Sequence, residues 1–392
     1  MAPGPWLRLT ALAAVSGALI AVVSGSIGGD IHRAASALAV PPLVALVVAG
    51  WIAHRRLLPT AITALGLFGA AALVTLPGWH VALAAAALAA CLVAAVQTFR
   101  GEPAPSGPLR DYVTLTKPRI MSLLLITGAC GMFVGAGGVP PLGDLGLMLL
   151  GLALACGGAS ALNHVLDADI DKLMGKRTRA RPVAAGRVPP SRALEFGLAL
   201  SALSFVLLAS FLNVLTATLA LVGNLFYVLV YTRWLKRSTP QNIVIGGAAG
   251  AVPPLVGWAA ATGNLTLPAL LLFAIVFFWT PPHFWALALL IRRDYEAAHI
   301  PMLPVVRGES ETTRQILLYS VVLVAVTLLP VLWWTLGVVY LVSALALGGW
   351  FLLLAWRLRA EPTPARASGL FHYSLAYLAL IFVAMALDPL LT

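Results

Sequence analysis

The chain has 392 residues, of which 60% are hydrophobic and only 10% charged, and its mean hydropathy is +0.95. A soluble core cannot bury that much apolar surface, so the composition excludes an ordinary soluble protein and predicts an all-α protein that crosses a membrane many times. The formal net charge of +11 lies mostly in short loops between apolar segments. Membrane orientation explains charge placed in this way, and we expect no nucleic-acid partner.

Apolar runs of membrane-spanning length, punctuated by Pro, Gly and charge, predict about thirteen transmembrane helices. The Pro- and Gly-rich stretch 99–110 divides them. We expect a front module of about four helices in residues 1–104 and a domain of about nine helices in residues 105–392. If the N-terminus is cytoplasmic, every Lys and Arg except Arg33 lies on the cytoplasmic side. The acidic loops described below are then cytoplasmic, the C-terminus lies outside, and the expected location is the cell membrane.

The front module carries His32 and His80 at the starts of its predicted second and fourth helices. Alternating topology places both on the non-cytoplasmic side, where two imidazoles at one depth of a bundle can ligate a heme iron. The alternative is a pair of interfacial histidines that bind nothing, and the sequence leaves both interpretations open.

In the larger part, Asn163, Asp167 and Asp171 follow one another at intervals of four residues, at the end of a long apolar segment. On a helix this spacing places three oxygen-bearing side chains on one face. Oxygen ligands so arranged suit Mg²⁺, which bridges carboxylates to phosphate oxygens. The alternative is a solvated helix end, but acids near a membrane core are costly and usually functional.

Basic residues flank this stripe. Lys117 and Arg119 precede the fifth predicted helix and are either topology anchors or phosphate contacts. Arg177 and Arg181 belong to a strongly basic loop just after the stripe. Guanidinium groups bind phosphate oxygens in bidentate fashion, although some charges of this loop must only hold it on the cytoplasmic side.

The tenth predicted helix contains an aromatic stretch, residues 277–285, with His283 directly after two prolines. This histidine either bonds a backbone carbonyl freed by the prolines or faces a porphyrin. The aromatic rings are either lipid-facing bulk or the wall of a cavity whose ring faces stabilise a carbocation. Asp294 reaches the same membrane face as Asp171, so it can hold a second metal ion or complete the first site.

Several short motifs occur in one order along the chain. They are Asn163 with Asp167-Ala168-Asp169-Ile170-Asp171, Arg177-Thr178, Arg181-Pro182, Lys236-Arg237 with Asn242, Pro281-Pro282-His283-Phe284-Trp285, and Asp294-Tyr295 with Pro301-Met302-Leu303-Pro304. Together they resemble the UbiA superfamily of intramembrane prenyltransferases, over about residues 111–390. The resemblance implies nine helices around a central cavity that is open to lipid, with two acidic loops capping it on the cytoplasmic side.

The Pro-Pro-His-Phe-Trp and Ile-Pro-Met-Leu-Pro strings resemble the branch that uses farnesyl diphosphate as donor and a vinyl group of heme b as acceptor, and that requires Mg²⁺. The resemblance implies a first acidic site at Asn163, Asp167 and Asp171 and a second at Asp294. The implied diphosphate contacts are Lys117, Arg119, Arg177, Arg181, Lys236 and Arg237. The implied lining of the heme and isoprenoid cavity is Trp279, His283, Phe284, Trp285 and Tyr295.

The chain departs from the superfamily pattern in the second acidic loop. Ala298 stands where a further Asp is frequent, Arg293 precedes Asp294, and His299 replaces a small or amide residue. The second acidic site is therefore poorer in acids than a full two-metal arrangement requires. An aromatic prenyltransferase of quinone biosynthesis would use the same acidic loops and stays an alternative. A transporter is disfavoured, because transporters pair broken helices near the midplane, whereas these acids cluster at one surface.

The front module lies outside this resemblance. Residues 31–35 and 76–80, which include His32 and His80, resemble short pieces of half of a heme A synthase, the enzyme that acts next on the expected product. This implies that the module holds heme or hands it on, with heme A synthase as a partner. The alternative is a degenerate bundle kept for assembly.

Overall fold

The computed structural model of the protein describes residues 5–25, 36, 39–47, 58–73, 77–100, 108–333 and 336–391. All regular structure in these ranges is helical, which confirms the all-α class. Nine of the described helices are long and apolar enough to cross a membrane. Further apolar helices in the front module are shorter, so the total of about thirteen spans stays a prediction.

The described front module consists of α1 (Pro5–Gly25), helical residues 39–47, α2 (Leu58–Leu73) and α3 (Pro77–Arg100). Its buried core is rich in alanine, including Ala11, Ala14 and Ala18 of α1 and Ala39. Small side chains let helices approach closely where lipid supplies no hydrophobic driving force. His32 lies outside the described residues, and His80 lies in α3 with nothing described of its side chain.

The larger part holds the nine membrane-length helices. They are α4 (Pro118–Ala136), α5 (Leu142–Leu166), α6 (Pro190–Phe211), α7 (Val214–Ser238), α8 (Asn242–Thr262), α9 (Leu267–Leu290), α10 (Gly308–Trp333), α11 (Val338–Ala360) and α12 (Pro364–Leu391). The front module packs on this bundle through α6, because Ala202 and Val206 are buried in the same cluster as Cys91 and Leu88 of α3.

A close approach between α4 and α8 depends on glycine. A Cβ atom at Gly257 of α8 would overlap the carbonyl oxygen of Gly128 in α4, and one at Gly131 would overlap that of Pro254. The two backbones are therefore in direct contact, as is common for small residues in membrane bundles. This contact fixes α4, whose first residue follows Lys117, against the centre of the bundle.

An intramembrane acid joins the last two helices. Asp388 of α12 is fully buried and accepts hydrogen bonds from the backbone N–H groups of Gly337 and Tyr340, the latter at 2.9 Å. These groups lie at the start of α11, where the N-cap residue makes no side-chain cap of its own. A carboxylate at a helix N-terminus satisfies free N–H groups and interacts favourably with the helix dipole.

We expect Asp388→Ala to lower the free energy of unfolding by about 1–3 kcal/mol, because it leaves buried N–H groups without an acceptor. Asp388→Asn keeps one acceptor oxygen and should lose less. Asp144→Ala removes an acid with no described hydrogen bond and is the control. Thermal unfolding in one detergent measures all three, and equal losses for Asp388→Ala and Asp144→Ala would contradict the capping role.

Candidate active site

The acidic stripe lies where α5 ends. Asn163 is in the last turn of α5, Asp167 follows its last residue, and Asp171 ends the short helix Ala168–Asp171. Backbone hydrogen bonds from Asp167 N to Asn163 O (2.9 Å) and from Asp171 N to Asp167 O (2.8 Å) keep the helical spacing across the junction. All three side chains are buried, so any charge there needs local compensation.

Two cations supply that compensation. Lys236 Nζ lies 2.6 Å from Asp167 Oδ2, and Arg181 Nη1 donates to both oxygens of Asp171, at 2.7 and 2.9 Å. Burial raises the pKa of Asp171 above its ordinary value, and the adjacent Arg181 guanidinium opposes that rise. The acids are therefore held in a poorly solvated place by basic residues from two other segments of the chain.

Asn163 connects a third cation to the acids. Lys117 Nζ donates to Asn163 Oδ1 at 2.8 Å, while Asn163 Nδ2 donates to Asp167 Oδ2 at 2.8 Å and to Thr232 Oγ1 at 3.1 Å. An ammonium only donates and a carboxylate only accepts, so the amide orientation is fixed by its partners. The amide oxygen, the atom that would ligate a metal ion, is engaged by Lys117.

Lys117 is itself in an unusual setting. Burial, and secondly the nearby Arg181, lower the pKa of Lys117 to about 7. Its backbone is left-handed, with φ 50°, directly before Pro118. Non-glycine residues rarely adopt this conformation, and such strain is concentrated at functional sites. The strained turn brings the ammonium group to the end of α5.

A π-helical segment of α7, Phe226–Leu235, precedes Lys236. Thr232 Oγ1 donates to the carbonyl oxygen of Tyr227, five residues earlier, at 2.9 Å. Such segments are rare and occur frequently at functional sites. The segment places Thr232 against Asn163 and delivers Lys236 to Asp167.

The neighbouring Arg237 has a different position. It donates to both oxygens of Asp169, at 2.6 and 2.7 Å, and to the carbonyl oxygen of Leu166 at 2.7 Å. The Asp169 side chain is 63% exposed, and its hydrogen bonds with Arg237 lower the pKa of Asp169 to about 2. The family resemblance implies that both Lys236 and Arg237 contact the diphosphate. Of these two residues, Lys236 lies among the buried acids.

The second acidic loop contacts the first at Gly175. A Cβ atom there would overlap the carboxylate of Asp294, which lies in the short helix Arg292–Ala297. Tyr295 beside it is buried, and this burial raises the pKa of Tyr295 to about 12; Arg181, Asp167 and Asp294 also influence that pKa. The second loop therefore lies over the same group of charges.

His299 closes this loop in the left-handed conformation, with φ 53°, after the short helix. Asn, Asp and His are the non-glycine residues that best tolerate this region. The backbone thus gives a physical reason for the small or amide residue that the superfamily pattern has at this position.

We expect Gly175→Ala to displace the Asp294 carboxylate and to reduce the prenyl transfer that the resemblance implies by about ten-fold or more, because small misplacements in a catalytic site are costly. Gly349→Ala, which adds a methyl group in open space, is the control. Turnover and thermal unfolding of both variants check this, and wild-type turnover by Gly175→Ala would contradict the contact.

Two of the sequence-predicted phosphate contacts stand apart from the buried group. Arg119 and Arg177 are exposed, and their guanidinium groups make no described hydrogen bond or ion pair. Arg119 lies in the first turn of α4 and Arg177 in the short helix Lys176–Arg179, close in sequence to Lys117 and Arg181, and both are available to an anion that approaches from solvent.

The arrangement suits a metal ion that takes few protein ligands. Within the described ranges, no three His, Cys, Asp or Glu side chains form a ready metal cage. Mg²⁺ needs no such cage, since it keeps waters and substrate oxygens and binds one or two carboxylates. Asp167 Oδ1 is buried without a hydrogen-bond partner, and an orphaned carboxylate oxygen of this kind fits a cation.

The aromatic stretch of α9 surrounds His283. The imidazole lies between the rings of Trp279 and Phe371, with centroid distances of 4.3 and 4.8 Å, and Phe284 meets it edge-on. His283 Nδ1 is 2.6 Å from Ser374 Oγ, so its described partner is a hydroxyl of α12 and not a carbonyl freed by the prolines. Trp279 Nε1 donates to Ser374 O at 2.7 Å.

Trp285 is separated from this cluster. It is buried against Tyr319 of α10 in an edge-to-face contact, with centroids 5.3 Å apart. Two residues along a helix turn a side chain by about 200°, which explains why His283 and Trp285 have different neighbours. Two described cavities, of about 410 and 260 Å³, are not lined by the acids, and the central cavity stays a prediction.

Sequence reasoning missed two residues that orient this site, Thr232 and Ser374. Thr232 bonds Asn163 and is 69 positions away from it, while Ser374 bonds His283 across 91 positions. Both are polar residues inside apolar segments. Polar residues in membrane helices usually have a hydrogen-bond partner, so this pattern could have marked them as candidates.

The described residues thus form a membrane protein with nine membrane-length helices and with two buried, cation-paired acids, Asp167 and Asp171, where α5 ends. Residues 124–381 match the UbiA prenyltransferase family, and the chain belongs to that family. It is thus a prenyltransferase and a multi-pass membrane protein. The match begins after the front module, which it does not include.

Three relatives of known name match 71–76% of the chain. The protoheme IX farnesyltransferase of Symbiobacterium thermophilum is 56% identical over 284 residues, covering 71% of this chain and 94% of that protein. The one from Synechocystis sp. is 51% identical over 301 residues, covering 76% of this chain and 95% of that protein. For Roseiflexus sp. the identity is 52% over 280 residues, and the chain spans about half (52%) of that relative's length.

Solved structures share the fold at low sequence identity. A structure of digeranylgeranylglyceryl phosphate synthase has a TM-score of 0.61 and 19% identity, covering 72% of this chain and 99% of that one. A UbiA homolog from Archaeoglobus fulgidus, bound to DMAPP and Mg²⁺, has a TM-score of 0.52 and 18% identity, covering 70% and 99%. These likenesses support the UbiA-type bundle.

Proposed function

We propose that this chain transfers the farnesyl group of farnesyl diphosphate to a vinyl group of heme b, in a Mg²⁺-dependent reaction that gives heme O for terminal oxidase assembly. The observation that carries the proposal is the group of cations, Lys117, Arg181 and Lys236, around the buried Asp167 and Asp171. Relatives that bear the name protoheme IX farnesyltransferase, at 51–56% identity, support the choice of donor and acceptor.

The donor half of the reaction needs charge stabilisation of the departing diphosphate. Asp167, through its unbonded Oδ1, and Asp171 would hold Mg²⁺, with Asp294 as the contribution of the second loop. When bound, Mg²⁺ supplies positive charge to the diphosphate oxygens as the allylic C–O bond breaks.

The three cations serve the same end. In the structure, each of them donates to a side-chain oxygen of the acidic stripe: Lys117 to Asn163, Arg181 to Asp171 and Lys236 to Asp167. Once the carboxylates hold a cation, these basic residues can turn to phosphate oxygens without leaving an acid uncompensated. Fixed donors in a poorly solvated site stabilise developing charge far better than water does. Arg119 and Arg177 meet the diphosphate from the exposed side, and Arg237 acts from its pair with Asp169.

The acceptor half involves the aromatic cluster. Ser374 Oγ donates to the carbonyl oxygen of Phe371 at 2.7 Å, so it must accept the Nδ1–H of His283. His283 Nε2 then carries a lone pair that can face the porphyrin, and the orienting hydrogen bond resembles those that fix metal-binding histidines. Trp279 and Phe284, with Tyr295 at the loop, would shield the farnesyl cation from early water, while Trp285 supports α9 from its other side.

In this reaction the farnesyl C1–oxygen bond breaks and a bond forms from C1 to the terminal vinyl carbon. The positive charge moves to the vinyl carbon next to the porphyrin ring, where water adds as hydroxide and one proton is released. The products are the hydroxyethylfarnesyl heme and diphosphate. No covalent enzyme intermediate is required.

The remaining assignments concern the front module and the membrane. We propose that the N-terminus and the acidic loops lie in the cytoplasm and that the C-terminus lies outside the cell membrane.

We also propose that residues 1–104 form a separate module, that His32 and His80 bind a heme there, and that the module passes heme to a heme A synthase. If the module binds heme, the heme α-band in the absorption spectrum of the purified protein should be weaker in the His32→Ala and His80→Ala variants. An unchanged spectrum would contradict heme binding by the module.

Product analysis tests the reaction. The purified chain is incubated with farnesyl diphosphate and Mg²⁺, with heme b in one arm and 4-hydroxybenzoate in the other. Mass spectrometry should find the hydroxyethylfarnesyl heme only in the heme arm, and EDTA should abolish it. Prenylated hydroxybenzoate with no heme product would instead establish the aromatic prenyltransferase.

A further inference from the structure

We propose that the ion pair between Asp111 and Arg187 positions the diphosphate-binding cations Arg181 and Lys117. Neither Asp111 nor Arg187 touches the acidic group, and the pair is outside every motif discussed above. The inference rests on the proposed function, because it concerns how tightly the diphosphate donor is held. Its basis is a chain of contacts that runs from this pair to both cations.

The pair is a bidentate contact with a buried acid. Arg187 Nε donates to Asp111 Oδ2 at 3.0 Å and Arg187 Nη2 donates to Asp111 Oδ1 at 3.1 Å. The Asp111 side chain is only 3% exposed, whereas Arg187 is 41% exposed. Such a planar, two-point contact fixes the guanidinium in direction as well as in distance.

The same guanidinium reaches the loop that carries Arg181. Arg187 Nη2 also donates to the carbonyl oxygen of Ala180, the residue before Arg181, at 3.0 Å. The backbone between them is a compact turn, with Ala185 N bonded to Arg181 O at 2.8 Å and Arg187 N bonded to Pro182 O at 2.9 Å. The turn is thus closed at both ends, and Arg181 projects from it to Asp171.

Asp111 belongs to the segment that leads to Lys117. It lies in the short helix Leu109–Leu115, whose last carbonyl, that of Leu115, accepts a hydrogen bond from Ser160 Oγ of α5 at 2.6 Å. Leu115 is buried with Val183 and Val188 of the Arg181 turn in one apolar cluster. Two residues later, the strained backbone of Lys117 directly precedes α4.

The ion pair therefore joins the segment that ends at Lys117 to the turn that presents Arg181. These two cations come from parts of the sequence that share no helix, so their separation depends on contacts of this kind. A diphosphate bound by both would lose affinity if the turn moved by a fraction of an ångström, because binding geometry at such sites is sensitive to small shifts.

The experiment uses the full chain in detergent with Arg187→Gln and Asp111→Asn. We expect each to raise the Kd of farnesyl diphosphate in Mg²⁺, measured calorimetrically, by about ten-fold, with the same rise in its KM. The KM for heme b should not change, whereas Arg187→Gln should lower the unfolding temperature because it leaves the buried Asp111 without its cation. Arg192→Gln, which breaks the nearby Arg192–Glu195 pair of 3.0 Å, is the control and should leave the Kd within about two-fold.

A second comparison separates positioning from general stability. In an Arg181→Gln background, Arg187→Gln should add little to the Kd, because both changes act through one contact. Full additivity, an unchanged Kd in both single variants, or an equal loss of heme b affinity would overturn the inference. Absence of product from the wild type, with diphosphate affinity still sensitive to Arg187, would refute the proposed function alone.

Discussion

Asp171→Asn is expected to lower farnesyl transfer by about 10³-fold or more while the protein remains folded. The amide has almost the same volume as the carboxylate but lacks the charge that holds the metal ion. Folding should survive because burial already disfavours the charged form of Asp171, as its raised pKa indicates. Arg181, left without its partner, is 31% exposed and can be solvated.

Turnover measured by mass spectrometry, together with thermal unfolding, checks this expectation. Asp169→Asn is the matched control, since it lies in the same motif but is exposed and bonds Arg237 outside the buried group. It should retain activity within about ten-fold. An Asp171→Asn protein with wild-type turnover would show that no metal ion is held there.

Lys236→Met is expected to affect both stability and activity. It leaves Asp167, whose side chain is 1% exposed, without its cation. Removing one partner of a buried ion pair costs about 3 kcal/mol or more. The double variant Lys236→Met/Asp167→Asn removes both charges and should recover most of that stability while remaining inactive, since it has neither the metal ligand nor the phosphate contact.

Arg237→Met provides the comparison for this second prediction. Its partner Asp169 is 63% exposed, and exposed pairs contribute less than about 1 kcal/mol. Chemical unfolding of the wild type, the two single variants and the double variant in one detergent gives their free energies of unfolding. A loss for Lys236→Met no larger than for Arg237→Met, or a double variant as unstable as the single one, would contradict the buried pair.

Periodicity and hydropathy were enough to predict the class of fold and the position of the acidic stripe. Apolar runs of span length leave few options except helices in a bilayer, and nine described helices meet this requirement. The spacing of Asn163, Asp167 and Asp171 predicted one helical face because the i to i+4 relation is local and survives the end of α5.

The sequence did not predict which basic residue pairs with which acid. Lys236 and Arg237 are adjacent in sequence, yet one bonds Asp167 and the other Asp169. The two side chains point to different acids because of the helical turn between them and the π-helical segment before them, and no feature of the residue pattern predicts that segment. The role of Asn163 oxygen as an acceptor for Lys117 depends in turn on the left-handed backbone at Lys117.

The structure also gives a physical picture of how the site can exist before substrate arrives. Asp167 and Asp171 are each paired with a basic residue, so neither acid of the site is left uncompensated. Binding of a metal ion and a diphosphate adds charges of both signs, and each group can exchange its present partner for a new one. This exchange keeps the local charge balanced, which the low dielectric of the site demands.

The central claim is that Asp167 and Asp171 hold the metal ion that, with Lys117, Arg181 and Lys236, binds the diphosphate. Its most direct test is a structure of the chain with Mn²⁺ and a non-hydrolysable farnesyl thiodiphosphate, in which anomalous scattering locates the metal. We predict the Mn²⁺ peak at coordination distance from Asp167 Oδ1 and an oxygen of Asp171, with the phosphate oxygens contacting the three cations. A metal and diphosphate bound elsewhere, with both ion pairs intact, would contradict the account.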